Sequence, residues 1–108
     1  MQRPSSFGAA NQLGLTFVGE EEAEGIVSNL SLAGCTIRSK TSAPAGSFLR
    51  IVIHRSNEPI TIPMAVVRWS TPYQFGVDFL ILPAQERAKL TELVWAFRDD
   101  AFASEELV

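Results

Sequence analysis

The stretch of sequence that decides the fold is Asn29-Leu30-Ser31-Leu32-Ala33-Gly34. This hexapeptide places an amide, a hydroxyl and a glycine at fixed spacing between two runs that are typical of β-strands. Asn, Ser and Gly are the usual turn residues, so the simplest interpretation is a polar turn between those strands. Asn and Ser also carry compact donors and acceptors that suit a planar ligand, and Gly allows close approach of the backbone. The hexapeptide therefore leaves a turn and a binding site both open.

Apolar alternation and turn residues mark out about six strands around the hexapeptide. The predicted strands are residues 13–18, 26–28, 35–38, 47–54, 60–69 and 73–80. Pro63 cannot donate a hydrogen bond to a neighbouring strand, so it predicts a sheet edge or a bulge. The acidic run 19–25 predicts an exposed hairpin loop with solvated charges, and a partner-facing role is the alternative. Several short strands at this spacing favour a barrel or a sandwich over a parallel sheet.

A helix is predicted after the last strand. Pro83 suits the first helical position, because its missing N–H would have no partner there. Apolar residues then recur at helical spacing and form one stripe that we expect to pack on the strands. The stripe consists of Leu90, Leu93, Val94 and Phe97.

Two aromatic residues fall outside this stripe. Trp95 lies well around the helix from it, and Phe102 falls near the Trp95 side if the helix continues past Asp99. Exposed aromatic residues are enriched at interfaces, so Trp95 and Phe102 are candidates for binding a protein partner. The alternative is that the helix lies in a groove and buries more than one face.

Composition indicates one compact domain. Of 108 residues, 46% are hydrophobic and 19% are charged, an ordinary globular balance. The net charge of −3 argues against a nucleic-acid surface, which needs clustered Lys and Arg. Apolar runs are too short to cross a membrane, so we expect no membrane insertion. The single cysteine fits a reducing compartment, and we expect a cytoplasmic protein.

The sequence offers little for catalysis. The one histidine, His54, lies at a predicted strand end, and no second histidine or cysteine completes a metal site. Cys35 alternates with the core and is expected to be a small buried hydrophobic residue. Ser31 lacks the GxSxG context of a nucleophile. We therefore expect neither an enzyme, nor a catalytic residue, nor a bound metal or cofactor.

Several motifs occur in a characteristic order. The hexapeptide has the form [DN]xSxxG and follows Glu24-Gly25-Ile26-Val27-Ser28; later come Ala65-Val66-Val67-Arg68-Trp69, Phe75-Gly76-Val77-Asp78-Phe79 and the helix. From about Leu13 to Phe97, this order resembles the PilZ domain, a bacterial module known as a receptor for cyclic di-GMP. The resemblance implies an all-β fold: a six-stranded antiparallel barrel with a C-terminal α-helix. It also implies a guanine site shaped by Asn29, Ser31 and Gly34.

The resemblance weakens before the first strand, where the family carries an RxxxR motif. The two arginines of that motif contact phosphates and guanine faces, which requires a forked, always-charged donor. Here Arg3 is followed four residues later by Phe7. We therefore divide the chain into a degenerate arginine-motif segment (1–12), a PilZ-like barrel with its helix (13–99) and a flexible tail (100–108). A larger protein that contains this chain, or acts beside it, is a further source for the missing arginines.

Two functional hypotheses follow. A charge-assisted hydrogen bond contributes ~1.5–3 kcal/mol, so losing one or two arginine contacts would weaken binding roughly tenfold to ten-thousandfold. The favoured hypothesis is a non-enzymatic PilZ-like signalling module that docks a motility, pilus or regulatory protein and binds cyclic di-GMP weakly or not at all. The alternative is a cyclic di-GMP receptor that uses Asn29, Ser31 and Gly34 with Arg3. Arg38 and Arg68 would add charge if their strands face the same site.

Overall fold

The computed structural model describes the backbone of residues 13–107 and the side chains of residues 13–96. It contains six strands and one helix: β1 (Leu13–Val18), β2 (Glu22–Leu30), β3 (Gly34–Arg38), β4 (Phe48–Ile53), β5 (Ile60–Thr71), β6 (Gln74–Ile81) and α1 (Ala84–Leu107). All pairs are antiparallel, and the strand order β1-β2-β3-β6-β5-β4 closes into a barrel. This confirms the predicted six-stranded antiparallel barrel with a C-terminal helix.

The barrel interior is filled by the apolar residues that alternate along the strands. Leu15, Ile37 and Ile51 are almost fully buried, and Phe17 contacts Phe75 edge to face with ring centroids 5.2 Å apart. Such aromatic pairs contribute roughly 0.5–1.5 kcal/mol beyond the burial of their area. The period of two therefore separates an apolar interior from an outer face that carries the polar residues together with some exposed apolar ones.

The pairing register shows where two local predictions succeed and fail. The β4–β5 register shifts between Leu49 and Ile51, opposite the segment that contains Pro63, which confirms the predicted irregularity. The predicted hairpin loop over 19–25 is too long, because Glu22 already pairs with Val18. Ala23 packs towards the core while its acidic neighbours are exposed, so the acidic run continues the strand alternation.

Helix α1 packs on the barrel through the predicted apolar stripe. Leu90 is fully buried, Val94 is nearly so, and Leu93 packs against the core. The side chain of Phe97 lies outside the described residues. The backbone of α1 continues to Leu107, beyond the boundary predicted at residue 99. The flexibility expected for 100–108 stays a prediction, and segment 1–12 lies outside the described residues.

A polar network holds the start of α1 against the barrel. Thr61 N donates a 2.8 Å hydrogen bond to Glu86 Oε1, and Lys89 Nζ lies 3.3 Å from Glu86 Oε2 and 3.2 Å from Glu58 Oε1. The hydrogen bond from Thr61 holds the pKa of Glu86 below its usual value, and Lys89 acts in the same direction. Hydrogen bonding to Glu58 raises the pKa of Lys89. Ionised Glu86 therefore favours the docked helix.

Candidate functional site

The hexapeptide forms the end of β2, a tight turn and the start of β3. The hydroxyl of Ser31 accepts hydrogen bonds from the backbone N–H groups of Ala33 at 3.1 Å and Gly34 at 3.2 Å. Ser31 N also donates to Gly34 O at 2.9 Å. The side chain that resembles a ligand donor is thus part of a local turn, the role in which serine competes with regular backbone pairing.

Gly34 lets this turn lie flush against β6. A Cβ atom at this position would lie 2.1 Å from Val77 O and 3.2 Å from Asp78 Cα. Phe79 N donates to Ala33 O at 2.8 Å, which fastens the turn to the same strand. The glycine is required here because two backbones approach more closely than any side chain allows.

A cavity of about 400 Å³ opens beside this turn on the outer face of the barrel; we call it the loop cavity. Its floor is a row of residues paired across four neighbouring strands: Asn29, Thr36, Gly76 and Trp69. The adjacent row is buried inside the barrel and consists of Cys35, Val77 and Val67. Strand alternation therefore places the floor residues on the outside.

The indole of Trp69 forms part of the floor of the loop cavity. A Cβ atom at Gly76 would lie 2.2 Å from Trp69 Nε1, so the indole lies directly over that glycine. Trp69 nevertheless remains 44% exposed. An exposed indole beside amide and hydroxyl groups offers a flat apolar surface on which a planar ring can stack.

The arginine that lines the loop cavity, Arg68, is held in an ion pair. Arg68 Nε lies 2.6 Å from Asp78 Oδ2, and both residues line the cavity. Both side chains are about half exposed, so the pair contributes only about 0–1 kcal/mol to stability. The carboxylate of Asp78 also neutralises the charge that Arg68 would offer to an anionic ligand.

The structure brings some of the predicted site residues together. Asn29, Ser31 and Gly34 line the loop cavity, and Arg68 joins them. Arg38 lines a separate groove of about 760 Å³ with Tyr73, further along the outer face. Arg3 lies outside the described residues. Binding of a ligand by these residues stays a prediction.

The predicted partner-binding aromatic residues lie elsewhere. Trp95 is on α1 and is 61% exposed, which agrees with its position off the apolar stripe. The side chain of Phe102 lies outside the described residues. Their role in binding a partner stays a prediction.

Comparison with known proteins agrees with this architecture. The sequence model of the PilZ domain matches residues 11–95. The chain belongs to the PilZ domain family. One solved structure that matches is the crystal structure of the PilZ domain of CeSA from a cellulose-synthesizing bacterium, with a TM-score of 0.67 and 13% identity. The match covers 81% of this chain and 93% of that one. No curated protein matches the sequence significantly.

Membership of the PilZ family sets the general function. PilZ domains are signalling modules that bind cyclic di-GMP, and they are generally non-catalytic. Within the part of the chain that the structure describes, no helix is long and apolar enough to span a bilayer. The same residues contain no cluster of three His, Cys, Asp or Glu side chains that would hold a metal ion.

Sequence reasoning missed three residues of the loop cavity in this PilZ domain. Thr36, Trp69 and Asp78 line it beside the hexapeptide. Alternation placed Thr36 on the outside, but only the pairing of β3 with β6 and of β6 with β5 brings the three residues together. The Arg-Trp dipeptide at the end of a strand was the available signal, because such residues are enriched at binding surfaces.

The nucleophilic and basic candidates are held in structural roles. Burial raises the pKa of the Cys35 thiol to about 12, so its reactive thiolate is scarce at neutral pH. His54 Nε2 lies 2.8 Å from Thr16 Oγ1 on another face of the barrel. Cys35 is thus held in the barrel interior, and His54 is hydrogen-bonded at the surface.

Proposed function

We propose that this PilZ domain works mainly by docking a protein partner and binds cyclic di-GMP weakly or not at all. One observation carries the proposal: the cation that lines the loop cavity, Arg68, is already bound to Asp78 at 2.6 Å. The partner class that fits a PilZ module is a motility, pilus or regulatory component in the cytoplasm. The domain itself performs no catalysis.

The polar groups of the loop cavity support the proposal that cyclic di-GMP binds weakly. The hydroxyl of Ser31 is engaged in the turn, and the carboxylate of Asp78 lines the loop cavity beside Arg68. Bringing like charges together at an interface costs several kcal/mol. The segment that carries the arginine motif in the family holds Arg3 but has Phe7 where a second arginine would stand.

A receptor function is the second candidate, and Trp69 favours it. The exposed indole, Asn29 and Thr36 line one cavity and together suit a planar base with hydrogen-bonding edges. In this case Arg3 supplies the phosphate contact that Arg68 does not. The two candidates differ in one measurable quantity, which is the affinity for cyclic di-GMP.

Calorimetric titration of cyclic di-GMP tests the proposal. We expect the unaltered protein to bind with a dissociation constant well above the low-micromolar range. Asp78→Asn removes the repelling charge and releases Arg68, and we expect it to strengthen binding by about tenfold. Phe7→Arg restores the second arginine, and we expect a gain that adds to that of Asp78→Asn.

Controls make the result decisive. Glu92→Gln removes a carboxylate from α1, away from the loop cavity, and should leave nucleotide affinity unchanged. A low-micromolar dissociation constant for the unaltered protein would establish the receptor and overturn the proposal. No gain from either substitution would show that the loop cavity does not read this nucleotide at all.

A further inference from the structure

A second concave surface lies between the β1–β2 turn and the β3–β4 loop. It encloses about 420 Å³, and its apolar lining includes Phe17, Ala43, Pro44 and Phe48. Glu20 and Glu21 line the same concavity from the β1–β2 turn. We call this surface the acidic groove.

Backbone hydrogen bonds hold one wall of the acidic groove in place. Gly46 N donates to Val67 O at 2.7 Å, and Val67 N donates to Ser47 O at 2.9 Å. Gly46 has a φ of +92°, a conformation that glycine adopts without strain. The β3–β4 loop is thus fastened to β5, and a partner need not order it on binding.

The β1–β2 turn forms the opposite wall. Gly19 N donates to Glu21 O at 3.2 Å, and a Cβ atom at Gly19 would lie 3.0 Å from Leu49 Cδ2. The turn therefore lies against β4, and the two glutamates are carried at the rim of the apolar surface.

The acidic groove leaves an aromatic side chain in solvent. Phe48 is 58% exposed, although the next residue, Leu49, is buried and so is Ala43 in the preceding loop. The exposed ring lies beside the apolar lining of the concavity, and aromatic side chains are enriched where protein partners bind. The groove therefore offers an apolar anchor point.

The charge of the groove selects the partner. Among the described residues, neither Glu20 nor Glu21 takes part in an ion pair, and no Lys or Arg lines the groove. Carboxylates at the rim of an apolar surface attract a cationic partner and speed its association. The protein as a whole is also negatively charged, at −3.

A second copy of this chain fits the groove poorly. Of the seven cations among the described residues, Arg55, Arg68 and Lys89 are held in ion pairs. Arg38 and Lys40 themselves line a concave surface, the groove with Tyr73, and two concave surfaces do not fit together. A projecting peptide segment satisfies both the shape and the charge. The observations therefore favour a foreign segment over a dimer.

We propose that the acidic groove docks a basic peptide segment of a partner protein, in which an apolar side chain seats against Phe48 and flanking lysines or arginines approach Glu20 and Glu21. This inference rests on the proposed function, because it names the chemistry of the protein partner. It also separates the partner surface from the loop cavity.

The test uses a fluorescent synthetic peptide in which lysines flank a pair of leucines, measured by anisotropy and by amide NMR shifts of the whole domain. We expect shift changes confined to the β1–β2 turn, the β3–β4 loop and the start of β4. Replacing the leucines with serine, or the lysines with glutamate, should abolish binding. Added salt should weaken it, because exposed charges are screened beyond about 10 Å at 0.1 M.

Matched variants locate the site. Glu21→Lys should weaken binding about tenfold, whereas Glu24→Lys, with the same change of charge outside the groove, should have little effect. Phe48→Ser should abolish binding, whereas Tyr73→Ser removes another exposed aromatic ring and should not. Circular dichroism checks that each variant is folded.

Three results would overturn the inference: equal effects of Glu21→Lys and Glu24→Lys, shift changes elsewhere on the barrel, or no binding of the lysine–leucine peptide. A dimer detected by light scattering and lost in Phe48→Ser would assign the groove to a second copy instead. Cyclic di-GMP titration of the unaltered protein separates the two proposals. Failure of the peptide with weak nucleotide binding overturns only the groove, whereas low-micromolar nucleotide binding overturns the proposed function.

Discussion

The loop cavity and the acidic groove differ in whether their polar groups already have partners within the protein. In the loop cavity, Ser31 bonds its own turn and Arg68 bonds Asp78. In the acidic groove, Glu20 and Glu21 take part in no ion pair with the described residues, and Phe48 stays in solvent. The region that carries the family motif is internally satisfied, whereas a region without a motif presents unused charge and apolar surface.

This difference teaches what the hexapeptide is for. A hydrogen bond within a turn fixes backbone geometry, and the same group is then less available to a ligand. We therefore expect the motif to serve the turn of the PilZ barrel, and its use as a ligand site stays a prediction. An affinity for partners is better sought where polar and apolar groups are left without intramolecular contacts.

The largest expected effect is on the reaction rate of Cys35, which lies beneath the loop cavity, with a thiol reagent. Because burial raises its pKa to about 12, its thiolate fraction at pH 8 should be about a thousandfold below that of an exposed thiol. We expect almost no reaction with a thiol reagent in the native protein and rapid reaction in urea. Fast native-state reaction would show that the loop cavity opens into the barrel interior and would break the comparison.

Alanine substitutions at Gly34 and Gly19 compare how tightly the backbone is packed in the two regions. Gly34→Ala places a Cβ atom 2.1 Å from the Val77 carbonyl oxygen, a backbone atom, and should reduce the free energy of unfolding by about 3 kcal/mol or more. Gly19→Ala meets only the end of the Leu49 side chain at 3.0 Å and should cost less than about 1.5 kcal/mol. Urea denaturation measures both.

Gly14→Ala is the control, because an added Cβ atom there has no neighbour within 4 Å. We expect a stability close to that of the unaltered protein. Equal losses for Gly34→Ala and Gly19→Ala would mean that the turn of the hexapeptide is no more tightly packed than the β1–β2 turn.

Ser31→Ala tests the structural role of the motif serine. The variant loses the acceptor for the N–H groups of Ala33 and Gly34, so the free energy of unfolding should fall by about 1 kcal/mol. Ser56→Ala, in the exposed β4–β5 turn, is the matched control and should change it by less than about 0.5 kcal/mol. An unchanged stability for Ser31→Ala would return the serine to a ligand-binding role.

The smallest effect is a pH dependence at the helix, away from both regions. The folded pKa of Glu86 is lowered, so its stabilisation is present above the unfolded value, near 4.5, and is lost as pH falls through the folded value. We expect urea denaturation to show a loss of stability below about pH 4.5 that is smaller in Glu86→Gln. An identical pH dependence in Glu86→Gln and in the unaltered protein would contradict this assignment.

Local patterning predicted much of the barrel, for identifiable reasons. Alternation placed Leu15, Ile37 and Ile51 inside, and Pro63 marked the register shift. Alternation failed at the start of the predicted strand 73–80. It puts Tyr73 on the same face as the buried Phe75, but Tyr73 precedes β6 and is 71% exposed. Burial at strand ends depends on how the ends are covered, and no local pattern contains that information.

The candidate site was predicted only in part. Asn29, Ser31 and Gly34 were found because they are close in sequence, whereas Trp69 and Asp78 reach the loop cavity through the pairing of β5 with β6 and of β6 with β3. The acidic groove was also predicted only in part. The run 19–25 favoured a solvated loop and left a partner-facing role as the alternative, but the apolar surface beside it exists only once the β3–β4 loop is placed there.

The sequence by itself determined the barrel, its PilZ family and the position of the turn, because these depend on alternation and on residues that are neighbours along the chain. Only the tertiary structure decided that Asp78 engages Arg68 and that Glu20 borders the apolar surface around Phe48. The physical reason is that hydrogen bonds, ion pairs and grooves join residues from different strands. Their partners are set by strand register and barrel closure, which depend on the patterns and turns of the whole chain and not on the neighbours of any one residue.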